Sequence, residues 1–251
     1  MADTLLHIEN VSKRFGGLLA VSGTSFAVSP QGITALIGPN GAGKTTLFAI
    51  ISGFLRPDGG RVVYDGADLT GEAPHRRARR GIARTFQIVQ PFAGLTVREN
   101  IAVGSHLAHV RRIDALAAAE EVAHSVGLGS MLDAAAGTLT VALRKRLELA
   151  RALAIAPRLL LLDEVLAGLN PSEIRDMVPV IRGIASRGVT ILMIEHVMQA
   201  VMSLAEHVLV LAEGRIIAQG MPHEVAADRQ VVEAYLGQGA AKRMMVGLRH
   251  D

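Results

Sequence analysis

The chain contains no cysteine and no tryptophan, and only 3% of its residues are aromatic. Without cysteine there is no disulfide framework, no thiolate nucleophile and no thiolate metal site, a composition that suits a reducing compartment. Scarce aromatics leave little for a nucleic-acid surface built on ring stacking, and a formal net charge of +3 supplies no strong electrostatic footprint, so no nucleic-acid partner is expected. Long apolar runs are missing too. Leu159–Leu162 runs straight into Asp163, no window of about 18 apolar residues exists to span a bilayer, and a membrane role has to come through a partner. Asp3 and Glu9 stand where a secretory leader would place basic residues and then an apolar stretch, so no leader is expected.

Hydrophobic residues make up 50% of the 251, enough to bury the core of one elaborated domain. Three short apolar runs, Ile33–Ile37, Leu159–Leu162 and Val189–Ile194, read as strands buried on both faces, which belong to a parallel sheet covered by helices. Each ends in polar residues, at the strand ends where open α/β sheets bind ligands. Leu5–Val11, Leu18–Val28 and Arg61–Tyr64 are shorter and richer in turn residues, as in an antiparallel layer. Between about residues 90 and 157 the pattern turns helical. Ile113, Leu116, Ala119, Ala123 and Val126 recur at helical spacing, and Leu139–Ile155 continues until Pro157 stops it.

The first strand run leads into Gly38-Pro39-Asn40-Gly41-Ala42-Gly43-Lys44-Thr45, which fits G-x-x-x-x-G-K-[ST] at every fixed position and is followed by the helical run Thr46–Ile51. Glycines let the chain turn sharply out of a strand. They leave backbone N–H groups pointing inward at a helix start, where the macrodipole also favours an anion. A triphosphate fits there, with Lys44 reaching the β- and γ-phosphates and the Thr45 hydroxyl ligating Mg²⁺. An ordinary Gly-rich turn does not require Lys-Thr at its end. The leucine run that closes on Asp163-Glu164 supplies the remaining chemistry: Asp163 can hold the water shell of Mg²⁺, and Glu164 can polarise a water for in-line attack on the γ-phosphate. Taken alone, the pair reads equally as an acidic helix cap.

Further residues fall in a telling order. Phe15 precedes the phosphate loop, Gln87 closes Ala83-Arg84-Thr85-Phe86-Gln87, and His196 follows the third apolar run. With these, the chain from about Leu5 to Gly237 resembles the ATP-binding subunit of ABC transporters. Arg80-Gly81-Ile82-Ala83-Arg84-Thr85-Phe86-Gln87, Ala167-Gly168-Leu169-Asn170-Pro171, Ile194-Glu195-His196 and Ala234-Tyr235-Leu236-Gly237 look like the subunits that energise branched-chain amino acid uptake.

The resemblance implies a P-loop α/β core with a flanking antiparallel β layer and an inserted helical subdomain. It implies one domain over 4–237, a helical subdomain over about 90–157 and a tail over 238–251. Phe15 would stack on adenine. The loop from Gly38 to Thr46, with Gln87 and Thr140, would contact nucleotide; Thr45, Gln87 and Asp163 would serve Mg²⁺; Lys44, Glu164 and His196 would be catalytic, with His196 holding Glu164 and meeting the γ-phosphate. Implied partners are a second ABC ATP-binding subunit, identical or different, two membrane permease subunits and, indirectly, a substrate-binding protein, with the chain peripheral at the cytoplasmic face of the membrane.

The family's Leu-Ser-Gly-Gly-Gln signature stands here as Leu139-Thr140-Val141-Ala142-Leu143, and Val165 replaces the proline usual after Asp-Glu. Thr140 keeps the hydroxyl, whereas Ala142 adds a methyl where glycine lets backbone approach closely. Leu95–Ile101 reads as a capped amphipathic helix and resembles the region that docks a permease helix. The basic run His75–Arg80 reads as a solvated helix face. Two other readings stay open here. A soluble ABC ATPase of repair or translation would carry a long coiled-coil insertion or a second cassette, and a weakly hydrolysing regulatory module would lack Glu164 and His196.

Overall fold

The computed structural model describes residues 4–86 and 90–236. In chain order the elements are β1 (Leu6–Phe15), β2 (Leu18–Val28), β3 (Ile33–Ile37), α1 (Lys44–Ile51), β4 (Gly59–Tyr64), β5 (Ala67–Asp68), α2 (Pro74–Arg79), β6 (Ile82–Arg84), α3 (Val97–Ser105), α4 (Arg112–Ser125), α5 (Val141–Leu153), β7 (Leu159–Asp163), α6 (Pro171–Ala185), β8 (Thr190–Ile194), α7 (Met198–Leu204), β9 (His207–Ala212), β10 (Arg215–Gly220), α8 (Pro222–Ala227) and α9 (Arg229–Leu236). They group into two compact units, one holding β1 to β5, α1 and the elements from β9 onward, the other running from Glu72 to Leu204 with Pro30–Gly32.

In the first unit, β1 pairs antiparallel with β2 and β4. Leu6 and Ile8 are buried while His7 is exposed, so the alternation of a half-buried strand holds until Asn10, whose φ of 49° accompanies a register shift before Val11. Strand β3, apolar except for Thr34, is buried along its whole length and runs parallel to β9, which pairs antiparallel with β10. A strand buried on both faces offers no polar alternation, and its end is where the chain escapes into the phosphate loop.

The second unit orders β6, β7 and β8 as parallel neighbours, with Arg84 opposite Leu161 and Asp163 opposite Ile194. Its helices follow the expected positions with two differences. On α4 the buried stripe is Ala115, Ala119 and Ala123, while Ile113 is 71% exposed. Helix α4 packs against α3, and an Arg98–Glu120 ion pair of 2.6 Å ties the two. The basic run is solvated only in part. Arg77 is buried, its Nε donating to the Glu72 carbonyl at 2.9 Å, and Arg80 grips the Glu72 carboxylate at 2.8 Å.

Thr96 and Glu99 form the expected capping box at the start of α3. Behind it, fully buried Asn100 fixes the incoming segment: its amide donates to the Phe92 and Thr96 carbonyls at 3.1 and 2.9 Å, and its Oδ1 accepts the Phe92 N–H at 2.9 Å. Asn100→Ala strands those groups, so the free energy of unfolding in urea should fall by about 2–3 kcal/mol. A loss under about 0.5 kcal/mol would mean that water replaces the side chain without penalty.

Candidate functional site

The phosphate loop lies wholly in the first unit. Gly38 has φ 148°, and a Cβ there would fall 1.9 Å from the Leu211 carbonyl oxygen of β9, so no other residue fits without moving the strand. Gly43, at φ 105°, would bring a Cβ within 2.3 Å of the Ala20 carbonyl oxygen of β2. Both glycines are thus fixed by close backbone approach as well as by conformation. Gly43 is the N-cap of α1, which has neither a capping side chain nor an acidic residue in its first turn. The buried Lys44 turns its ammonium back into the loop, donating to the Gly38 and Pro39 carbonyls at 2.8 and 2.9 Å. Asn40, Gly41 and Thr45 are exposed, Pro39, Gly43 and Thr46 half-buried and Ala42 buried. Phe15, 48% exposed, ends β1 opposite Leu18, in the turn that starts the strand whose Ala20 abuts the loop, and Lys13 Nζ lies 5.8 Å from its ring centroid.

In the second unit β7 delivers Asp163 and Glu164. Asp163 is 3% exposed, its Oδ2 accepting from Arg84 at 2.8 Å and its N–H donating to Thr85 Oγ1 at 3.0 Å. Glu164 has a left-handed φ of 50°, a conformation that persists in a non-glycine residue only when the surroundings over-determine it. Three ties do so here. Its N–H donates to the Ile194 carbonyl at 3.0 Å, its carbonyl accepts Lys145 Nζ of α5 at 3.1 Å, and its Oε1 lies 2.8 Å from His196 Nε2. An ionised carboxylate only accepts, so Nε2 carries the hydrogen of that bond. His196 and Glu164 are therefore brought together, as the resemblance implies.

Thr140 is the N-cap of α5, accepting the Leu143 N–H at 3.4 Å. Thr140 and Val141 are exposed and Ala142 half-buried, so the altered signature presents its helix start to the surface. Val165 is buried, filling with a branched apolar side chain the position that the family gives to proline. Gln87 lies outside the described residues, as do Gly237 and the 238–251 tail; β6 ends at Arg84 just before Gln87.

Four residues had no role in the sequence reading. Lys145 and Arg84 are the ties just described. Glu195 is 1% exposed and accepts the Leu166 N–H at 2.9 Å; burial pushes its pKa up, and the neighbouring Glu164 adds to the shift. Tyr235 of α9 accepts the Gly38 N–H, and burial raises its phenol pKa. Only a contact across the fold reveals such partners, although Tyr235 and Glu195 both lie in segments whose resemblance is legible.

The donors fit nucleotide and metal. Glycines held open by neighbouring backbone, a helix start without its own cap and a lysine folded into the loop make an anion cradle. Among the described residues no group of three or more His, Cys, Asp and Glu forms a metal cage. A Mg²⁺ carried mainly by phosphate oxygens needs no such cage.

Residues 21–167 match the family model described as ABC transporter, and 215–241 match that of the branched-chain amino acid ATP-binding cassette transporter. The chain belongs to the ABC transporter family: it is an ATP-binding cassette, an ATPase subunit with the P-loop fold and inserted helices of that class. Among curated relatives, the high-affinity branched-chain amino acid transport ATP-binding protein BraF of Pseudomonas aeruginosa is 39% identical over 95% of this chain and 100% of its own length. LivG of Escherichia coli, of the same description, is 37% identical with the same coverage. A crystal structure of a nucleotide-free ATP-binding cassette from an ABC transporter superposes with a TM-score of 0.85 at 32% identity, covering 94% of this chain and 100% of that one. A structure of the ADP conformation of an ATP-binding cassette gives 0.85 at 33% identity, over 94% of this chain and 99% of that one. Among the described residues no helix is long and apolar enough to cross a membrane.

The raised pKa of Glu195 has a sign that can be tested. The folded protein holds this proton more readily than the unfolded chain does, so the group costs stability as pH rises from its ordinary value of 4.5 through the raised folded value, and costs nothing below. Glu195→Gln keeps an acceptor for the Leu166 N–H. The variant should melt higher than the parent at neutral pH, with the gain shrinking as pH falls toward 4.5. A gain independent of pH, or a loss at neutral pH, would contradict the assignment.

Proposed function

We propose that this chain is the ATP-hydrolysing subunit of an importer for branched-chain or related amino acids, working at the cytoplasmic face of the membrane. Its partners are two permease subunits and a second ATP-binding subunit, with a substrate-binding protein upstream. The substrate class rests on BraF and LivG and on the family model at 215–241. Residues 4–237 form the domain, with the helical subdomain over about 90–157.

The observation that carries the mechanism is Glu164 locked at φ 50° with its carboxylate 2.8 Å from His196 Nε2. In this reading Glu164 orients and polarises the attacking water, and the imidazole keeps that carboxylate aimed and presents a donor to the γ-phosphate. Lys44 exchanges the loop carbonyls for the β- and γ-phosphates, a stronger charge-assisted partner. Phe15 offers its exposed face to adenine, and the loop from Gly38 to Thr46 cradles the phosphates with the backbone N–H groups that follow Pro39. Thr45, Gln87 and Asp163 serve Mg²⁺, which neutralises the phosphate charge when bound. Thr140 and its helix start meet nucleotide held by the second subunit, which explains why one chain alone holds half of each site. ATP contacts made across that pair favour its closed form, and loss of the γ-phosphate removes them.

Lys44→Ala should abolish MgATP binding, because the loop's N–H groups alone face a highly charged ligand. Isothermal titration decides it, and near-parental affinity would sink the phosphate-loop assignment. Glu164→Gln preserves shape but not the carboxylate. It should bind ATP normally, accumulate an ATP-bound dimer and hydrolyse about 10²–10⁴-fold more slowly in single turnover. An unchanged single-turnover rate would remove Glu164 from the chemistry. Uptake of labelled leucine by vesicles carrying the complete transporter, lost in the Glu164→Gln variant, tests the substrate class; no leucine, isoleucine or valine uptake by the parent would overturn it.

A further inference from the structure

Arg84 has no task in the mechanism above, yet its placement is tightly defined. It is the last residue of β6, in register with Leu161 of β7, and its side chain is 9% exposed. One face of the guanidinium has the Phe86 ring, 5.6 Å from its centroid; its Nη2 donates to Asp163 Oδ2 at 2.8 Å. The next residue holds the same partner by its backbone: Thr85 Oγ1 accepts the Asp163 N–H at 3.0 Å, while the Thr85 N–H donates to the Leu161 carbonyl at 2.9 Å. The end of β6 and the residue after it therefore grip both the side chain and the main chain of Asp163.

A carboxylate only 3% exposed is costly to keep ionised without a cation beside it. If its role is to serve a metal that arrives with nucleotide, something else has to supply that charge between turnovers. We propose that Arg84 is the resident counter-cation of Asp163: it pairs with the buried carboxylate and holds its orientation, and its charge sets the concentration at which Mg²⁺ is taken up. The inference rests on the reading of Asp163 as the metal-side carboxylate. Arg84 is a positioning residue in this scheme, acting through Asp163. Two cations then share one carboxylate in a poorly solvated place, where their mutual repulsion is only weakly screened. Removing the guanidinium has opposite consequences: the metal-free protein loses stability, and the remaining carboxylate attracts Mg²⁺ more strongly. An arginine that merely packs would weaken both.

The test uses the full chain with MgCl2 as the probe, read by thermal unfolding, without nucleotide and then at fixed ATP with increasing Mg²⁺. Arg84→Met should lower the melting temperature of the nucleotide-free, metal-free protein by about 5 °C or more. The Mg²⁺ concentration giving half of the ATP-dependent melting shift should fall roughly 3- to 10-fold. Arg84→Lys, which keeps a charge on a different stem, should lie between parent and Met variant on both measures. An unchanged or higher Mg²⁺ requirement in Arg84→Met overturns the proposal. Should Arg84→Met fail to fold, Arg84→Met/Asp163→Asn has no carboxylate to neutralise and should fold; failure of that variant too overturns the proposal. Asp163→Asn alone should abolish the Mg²⁺ dependence of the ATP shift. If it keeps the parental dependence, the reading of Asp163 falls and this inference with it. If it loses the dependence while Arg84→Met titrates like the parent, only the inference falls.

Discussion

Housing carboxyl groups where water is scarce is the constraint around which the second unit is built. Asp163, Glu195 and Glu148 are each under 7% exposed, and each has a specific answer to the cost of burial. Asp163 has Arg84, Glu195 has the Leu166 N–H, and Glu148 has Arg151 at 3.1 Å with the Phe86 N–H nearby. For Glu195 and Glu148 these partners do not fully offset burial, and both carboxyls are held above the usual range. Glu164, less buried, pairs with His196. Acids gathered at the ends of β7 and β8 thus stay distinguishable by what faces each.

The phosphate loop of the first unit solves a complementary problem, assembling positive potential with one basic side chain. Its anion cradle is made of backbone, with Lys44 as the charged side chain inside it. That choice explains why close approach matters so much: Leu211 and Ala20 press their carbonyls against Gly38 and Gly43, and a single added carbon would displace a strand. Backbone dipoles held in place by neighbouring strands are preorganised for an anion. The contact of Tyr235 with Gly38 ties the last described helix to the same loop.

Substitutions in the signature segment fit the surface on which they lie. Thr140 retains the helix cap, since a hydroxyl in that backbone geometry serves whether it belongs to serine or threonine. Val141 and Ala142 leave the start of α5 intact and change only what it presents outward. Lys145, one turn on, is buried and bonded to the Glu164 carbonyl, so α5 carries an exposed start and, on the same helix, a tie to Glu164.

The sequence alone determined the elements whose residues are uniform or whose chemistry is local. β3, β7 and β8 are legible because strands buried on both faces are almost wholly apolar, and the cap at Thr96 because its donor lies within a few residues. The phosphate loop is legible because its spacing is fixed by a ligand of fixed shape. Tertiary structure alone decided which helix face is inside when small residues mix with large ones, as on α4, where alanines face inward and Ile113 points out. It alone decided that Arg77, in a run of arginines, is buried, and that Arg84, Lys145 and Glu195 surround the Asp163-Glu164 pair. The reason is the same in each case: a helical or basic pattern records only spacing along the chain, whereas the partner of a buried charge lies on another element, at a distance that sequence separation does not encode.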